Sequence, residues 1–512
     1  MMSTSKKLKI ACVQLRARDV EERRESLREA LDGIREASGF GAQIVVLPEA
    51  VFPGYVLDRW AEDPDSPDES RRALESFRES AMENGVYLAV GLALYKNESW
   101  INGAVLIDTD GEILLEEGKR FLWHFDDRWF EKCHSYDLAD TPWGKIGLLI
   151  CADARNPEVL SNLSRKGADL VLDLANLTSS GKDSDSLSNQ QVNFMLPVRA
   201  FENCVWIAMA NKSGMENRSV VYCGKSGIYD PSGRSVAALG SKDPGVLVEE
   251  IDLSNRPSMV PLKEGICGTL IEEKPPIFQG EAAVVMVSLA QLDWDSLVVL
   301  NRVKSFVRQA WLQRADLLVL SPLPDSDEME SLAMELLLDL SRSYENMWIV
   351  FARESGPKGP ISWSIKNGQV CNVSLGSHGH GLGDAVPVVR TDIGAWGISI
   401  GEDGYVPEIS RIQAIEGAEI LVWFAPDGPM TEHLARSRAA ENKLFVVAAA
   451  SASVGGSLIA SPDGAVLSQA FVGEDQMISA LCPLCLSREK SVVPGTDVLL
   501  DRSPEDNIFR NR

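Results

Sequence analysis

The stretch Gly147-Leu148-Leu149-Ile150-Cys151-Ala152-Asp153-Ala154-Arg155-Asn156-Pro157-Glu158 is echoed 250 positions later by Gly397-Ile398-Ser399-Ile400-Gly401-Glu402-Asp403-Gly404-Tyr405-Val406-Pro407-Glu408. The same offset carries Gly167-Ala168 onto Gly417-Ala418. Further along, Arg199-Ala200-Phe201-Glu202-Asn203 recurs as Arg438-Ala439-Ala440-Glu441-Asn442, and the turn Asp230-Pro231-Ser232-Gly233 recurs as Ser461-Pro462-Asp463-Gly464. Self-similarity on this scale means that one domain is built twice. A chain of 512 residues is in any case too long for a single ordinary core.

The first copy carries residues that the second lacks. The apolar run Gly147 to Ile150 stops at Cys151 and turns polar at once, which places the thiol at the carboxyl end of a buried strand, where open α/β sheets gather their chemistry. Ile44-Val45-Val46-Leu47-Pro48-Glu49 ends in the same way at Glu49, and Lys119 closes a third unit after the turn at Asp110-Gly111. Each taken alone also reads as a small buried residue or a solvated cap. Together they supply what a thiol needs to react, a base and a cation. In the second copy Gly401 stands at the cysteine, Pro322 at the glutamate, and no lysine lies between Lys366 and Lys443.

Residues 7 to about 255 resemble the nitrilase superfamily of carbon–nitrogen hydrolases. The resemblance rests on Leu47-Pro48-Glu49 followed by Phe52-Pro53-Gly54-Tyr55, on Lys119 before an aromatic segment, on Cys151-Ala152-Asp153 followed by Pro157-Glu158, and on the Arg199 to Asn203 and Gly224 to Gly233 segments. It implies a cysteine nucleophile at Cys151, a general base at Glu49 and a stabiliser of the tetrahedral intermediate at Lys119, with the amide of Ala152 sharing the oxyanion. It implies an additional glutamate near the lysine, matched by Glu131, with Asp126 or Asp127 as alternatives. Arg155 falls where relatives acting on acidic amides or carbamoyl amino acids bind a carboxylate; Tyr55, Trp123 and Asn176 are further pocket candidates. Ala152-Asp153, in place of the tryptophan and glutamate usual in true nitrilases, favours the amidase and carbamoylase branches.

The expected fold is α/β: two αββα four-layer sandwiches forming an intramolecular pseudo-dimer. The expected domains are a catalytic one over 1–255, a linker over 256–281, a degenerate copy over 282–490 and a tail over 491–512. Strands are expected at 7–14, 86–95, 101–108, 168–175 and 205–210, and helices at 20–38, 69–84, 157–166 and 190–203. The acidic, proline-containing segment 58–68 and the aromatic segment 121–134 read as loops near the site.

A net charge of −24 excludes nucleic acid and anionic lipid as partners. No run approaches the roughly 20 apolar residues of a membrane span, and no secretory segment follows Met1, so a cytoplasmic protein is expected. Nine cysteines, an odd number, suit a reducing compartment. Cys482-Pro483-Leu484-Cys485 lies in a probable strand with no second pair, and His378 and His380 complete no ligand set, so neither metal nor cofactor is called for. The reading is a hydrolase of small amide or carbamoyl substrates, with further homo-oligomerisation left open. The alternatives are nitrile hydrolysis by the same three residues and a non-catalytic amide-binding scaffold.

Overall fold

The computed structural model describes residues 6–179, 181–254, 256–261, 269–270, 275–294, 297–355, 359–376 and 386–503. His378 and His380 lie outside them. The chain forms two compact units: one runs to Met259 and takes in Val493–Thr496 and Asp501–Ser503, the other spans Val260–Val492 with Asp497–Leu500. In the first, the hydroxyl of Thr496 accepts the His124 amide at 2.8 Å and the carbonyl of Asp501 accepts Lys132 Nζ at 3.0 Å, so parts of the tail pack on the aromatic loop.

The first unit is a four-layer sandwich because its strands alternate. In Lys7–Arg16, Leu8, Ile10 and Cys12 face one core while Ala11, Val13 and Leu15 face another, the period of two that a strand buried on both faces must show. Ile44–Val46 repeats the pattern, with Ile44 and Val46 inward and Val45 outward. An eight-stranded sheet results, with Lys7–Arg16, Ile44–Val46 and Tyr87–Lys96 parallel at its centre. Against its outer face lie the helices Arg23–Gly39, through Ala30, Ile34 and Ala37, and Ser66–Asn84, through Ala73, Phe77 and Ala81. Gly85 ends the latter at φ 61, the left-handed conformation that glycine adopts without steric cost.

The inner face packs on a six-stranded sheet centred on the parallel strands Gly144–Ile150, Leu170–Leu174 and Trp206–Ala210. Pro157–Arg165 and Leu196–Asn203 form the fourth layer. Each of the three parallel strands delivers its carboxyl end to one side of the sandwich, and there Cys151 and Asn176 emerge.

Three local expectations need correction, and one element was not expected. Segment 58–68 is not all loop: Asp58–Glu62 forms a 3-10 turn, and the following helix already begins at Ser66, where proline suits the first turn. The helix from Gln190 opens as one π turn over Gln191–Met195, next to Pro197, which has no N–H to continue regular pairing. The hairpin Lys212–Glu216 and Val220–Cys223, whose first strand is polar, extends the first sheet and is the unexpected element. Finally, the strand Gln476–Pro483 stops at its proline, so Cys485 opens a short helix and is exposed while Cys482 is buried.

The second unit repeats the plan. Two six-stranded sheets enclose a core of Val287, Leu289, Val319, Val350, Ile398, Val422 and Val447. Val299–Leu312 and Asp327–Ser343 lie along one sheet, Pro407–Ile415 and Thr431–Asn442 along the other. Gly401 takes φ 60 where Cys151 takes φ 52. Arg438 pairs with Glu441 at 2.8 Å and donates to the carbonyl of Gly404, as Arg199 pairs with Glu202 at 2.6 Å and donates to Ala154. Among the described residues no helix is long and apolar enough to cross a membrane.

Candidate active site

Glu49 follows the strand Ile44–Val46 and is fully buried. Its backbone crosses so close to the next strand that a Cβ on Gly91 would lie 2.5 Å from the Pro48 carbonyl and 2.6 Å from Glu49 Cα, so only glycine fits at residue 91. Glu49 Oε1 accepts Asn102 Nδ2 at 2.7 Å and Lys119 Nζ at 2.8 Å, while Oε2 has no partner among the described residues. Burial raises the Glu49 carboxyl above its ordinary range even though Lys119 pulls the other way.

Lys119, also fully buried, is clamped from the other side by Asp126 Oδ2 at 2.7 Å. Burial works against its charge, but Asp126 and Glu49 together outweigh it and hold the ammonium charged. Two of its three N–H donors are thus committed to carboxylates and one remains. Asp126 is fixed in turn, its Oδ1 accepting the Tyr55 hydroxyl at 2.7 Å and its Oδ2 the Trp123 amide at 2.9 Å.

Tyr55 therefore positions the clamp. Its own amide and that of Val56 are held by Glu216 Oε1 at 2.9 and 2.7 Å, and Glu216 accepts the Tyr222 hydroxyl at 2.8 Å. Lys212 completes this support with a 3.0 Å bond to the Ala50 carbonyl.

Glu131 is the expectation that the structure overturns. Its amide continues the sheet edge by donating to the Trp100 carbonyl at 3.1 Å, which turns the side chain outward; it is exposed and accepts Ser99 Oγ at 2.9 Å, away from Lys119. Asp126 takes the place expected for it.

Cys151 opens the 3-10 turn Cys151–Arg155. Asp153 braces the turn: its Oδ2 accepts the Ile150 amide at 3.2 Å, and its Oδ1 accepts the amides of Arg120 and Phe121 at 3.0 and 2.8 Å. The turn that carries the cysteine is thereby bonded directly to the residues that follow Lys119. Burial, then the Glu49 charge, push the Cys151 thiol well up, opposed by Lys119 and a hydrogen bond from the Asn176 main chain. Ala152 is buried behind it.

Arg155 lies with its guanidinium 4.8 Å from the centre of the Trp123 ring, and Nη2 donates to Gln190 Oε1 at 2.7 Å. Its Nε is buried without a hydrogen-bond partner among the described residues, and burial lowers its pKa to about 10. The side-chain amide of Asn176, nearly fully buried, has neither its donor nor its acceptor paired among the described residues. A preformed site keeps such groups for something that arrives.

Asn102, Asp173, Gln191, Lys212 and Glu216 were not anticipated. Two of them left a signal in the sequence: Asn102 and Asp173 each interrupt an otherwise apolar strand, at Ser99–Ile107 and Leu170–Leu174.

The carbon-nitrogen hydrolase profile matches residues 9–258 and, again, residues 340–489. The chain belongs to the carbon-nitrogen hydrolase family. This family member carries the domain in tandem, as the internal repeat requires. It is 30% identical over 250 residues to a nitrilase of Pyrococcus abyssi, spanning 48% of this chain and 90% of that protein. It is likewise 30% identical over 261 residues to omega-amidase NIT2-A of Xenopus laevis, spanning 48% of this chain and 89% of that protein. A solved amidase from Nesterenkonia sp. shares 28% identity, with 49% of this chain and 93% of that one covered and a TM-score of 0.43.

Proposed function

We propose that this carbon-nitrogen hydrolase cleaves amide or N-carbamoyl bonds in its first unit through a thioester on Cys151. The observation that carries the reading is the division of labour around Glu49: Oε1 holds Lys119 while Oε2 is left without a partner. Glu49 Oε2 takes the thiol proton as sulfur attacks the carbonyl carbon. The electron pair of the C=O bond moves to oxygen, which the remaining N–H of Lys119 and the Ala152 amide receive; such donors are worth about 3–4 kcal/mol of barrier each. The tetrahedral species collapses, the C–N bond breaks, and the leaving nitrogen takes the proton from Glu49. Water then gives its proton to Glu49 and attacks the thioester, releasing the acid as the C–S bond breaks and sulfur regains a proton. The raised pKa of Glu49 suits a group that must both accept and donate. These steps require no cofactor or metal.

Arg155, braced on Trp123 with an unsatisfied Nε, supports substrates that carry a carboxylate away from the scissile bond. Asn176 offers a donor and an acceptor to an amide or ureido group. The deciding experiment is mass spectrometry of the intact wild-type chain and of C151A after incubation with acidic and neutral amides, N-carbamoyl amino acids and nitriles. An acyl adduct confined to wild type, with Arg155→Leu raising KM for acidic amides by about tenfold or more and leaving neutral ones unaffected, is the expected result. No adduct and no turnover with any compound would overturn the assignment.

A further inference from the structure

Asp173 sits in the middle of the strand Leu170–Leu174, fully buried among leucines and valine. A carboxyl group there is costly unless something compensates it. Its Oδ1 accepts the amide of Cys151 at 3.1 Å, and its Oδ2 has no hydrogen-bond partner among the described residues. Across the turn, Gln191 Nε2 donates to the carbonyl of Cys151 at 2.8 Å, a reach made by the π turn that carries it. Both main-chain polar groups of Cys151 are therefore held by buried side chains. They need holding, because Cys151 lies at φ 52, in the left-handed region that a residue with a Cβ avoids.

The second unit is an internal control. There Gly401 takes φ 60 without steric cost. The offset of 250 places Trp423 at the position of Asp173, and the offset that carries Arg199 to Arg438 places Met430 at that of Gln191. Trp423 is fully buried, donates Nε1 to the Gly401 carbonyl at 3.0 Å, and fills the space beside Gly404, where an added Cβ would meet its ring at 2.1 Å. The turn, Asp403 and the Arg438–Glu441 pair are kept. The acid and the amide are absent where the cysteine is absent. An acid needed only to build the sandwich would have no reason to follow the cysteine in this way.

We propose that Asp173 is a positioning residue for the nucleophile, holding the Cys151 amide so that the thiol faces Glu49 and Lys119, and through its charge setting how readily that thiol reacts. This rests on the reading of Cys151 as the nucleophile. Burial pushes the Asp173 carboxyl up to about 8; the Cys151 amide opposes the shift, the charges of Asp153 and Glu49 add to it, and Lys119 opposes it. Beside these, the titratable group that feels Asp173 is Tyr229, two strands away on the same sheet, whose hydroxyl is raised by burial and then by the Asp173 charge. Below about pH 8 the carboxyl is neutral; above it, its charge joins burial and Glu49 in holding the thiol protonated.

The test uses the full chain and iodoacetamide, with alkylation of Cys151 followed by peptide mass spectrometry, alongside hydrolysis kinetics. Asp173→Asn keeps the acceptor and cannot ionise. Its Cys151 is expected to alkylate about threefold or more faster than wild type near pH 9, and within about twofold of it near pH 6. Asp173→Leu removes the acceptor and is expected to lower kcat about tenfold with little change in KM. Superimposable alkylation profiles for wild type and Asp173→Asn overturn the role of its charge, and a folded Asp173→Leu with kcat within about twofold of wild type overturns the positioning role; Asp173→Ala serves that comparison if Asp173→Leu does not fold. Alkylation needs no substrate, so a shifted profile in a chain that hydrolyses nothing in the panel would sink the substrate reading and leave this one standing.

Discussion

A lysine with no solvent contact keeps its charge only if carboxylates surround it, and Lys119 has two within 2.8 Å. The two do different work. Glu49 shares one oxygen and leaves the other without a partner among the described residues, whereas both oxygens of Asp126 are occupied, by Lys119 and the Trp123 amide on one and by Tyr55 on the other. Asp126 is thus a support for the cation, and Glu131, facing solvent beside Ser99, is not. Replacing Lys119 by methionine removes an oxyanion donor and leaves two buried carboxylates facing each other, so kcat should fall by about 10²–10³ or more. Asp126→Asn keeps the hydrogen bonds and loses the charge, and we expect a fall of about tenfold. Glu131→Gln should stay within about twofold of wild type. Steady-state kinetics on the three variants checks the assignment; a large loss in Glu131→Gln with a normal Asp126→Asn would reverse it.

At the level of elements, the site depends on a narrow chain crossing at Gly91. An added methyl group there meets backbone, at the Pro48 carbonyl, Glu49 Cα and the Ala50 amide, and backbone cannot swing aside as a long side chain could. Gly91→Ala should therefore cost about 1–3 kcal/mol of stability and also displace Glu49, lowering kcat in the fraction that folds. Chemical denaturation and kinetics on the same preparation separate the two effects. Glu49 and Cys151 were legible in the sequence because each follows an apolar strand, and Lys119 because it closes a hairpin; the structure brings the ends of these elements of two facing sheets together. The surrounding groups were harder to read. Glu131 is nearer in sequence to a plausible motif, yet the loop from Phe121 to Cys133 bends so that Asp126 turns in and Glu131 continues a sheet edge outward. Gln191 reaches Cys151 only because its helix begins with a wider turn, which no periodicity of 3.6 residues reveals. Asp173 announced itself as a charge in an apolar strand, but the sequence did not show which group it would meet.

For the whole molecule, the question is how many sites one chain carries. The second unit retains the frame of the first: the turn at Gly401, the Asp403 bond to the Ile400 amide at 3.1 Å, and the arginine–glutamate pair beneath it. At the positions of Cys151 and Glu49 its sequence has Gly401 and Pro322, no lysine lies between Lys366 and Lys443, and the space beside its turn is filled by Trp423. Loss of one group can be reversed by one substitution; loss of the nucleophile, base and cation together cannot, because their contributions act as a unit. Titration of the chain with an acylating substrate should accordingly give one acyl group per chain, abolished by C151A. Adding Gly401→Cys to C151A should restore no measurable turnover, since the new thiol would have neither Glu49 nor Lys119 beside it and would carry a Cβ at φ 60 that glycine avoids. Two acyl groups per chain by intact mass, or recovered turnover in the double variant, would place a second working site in the unit that has none of the three residues.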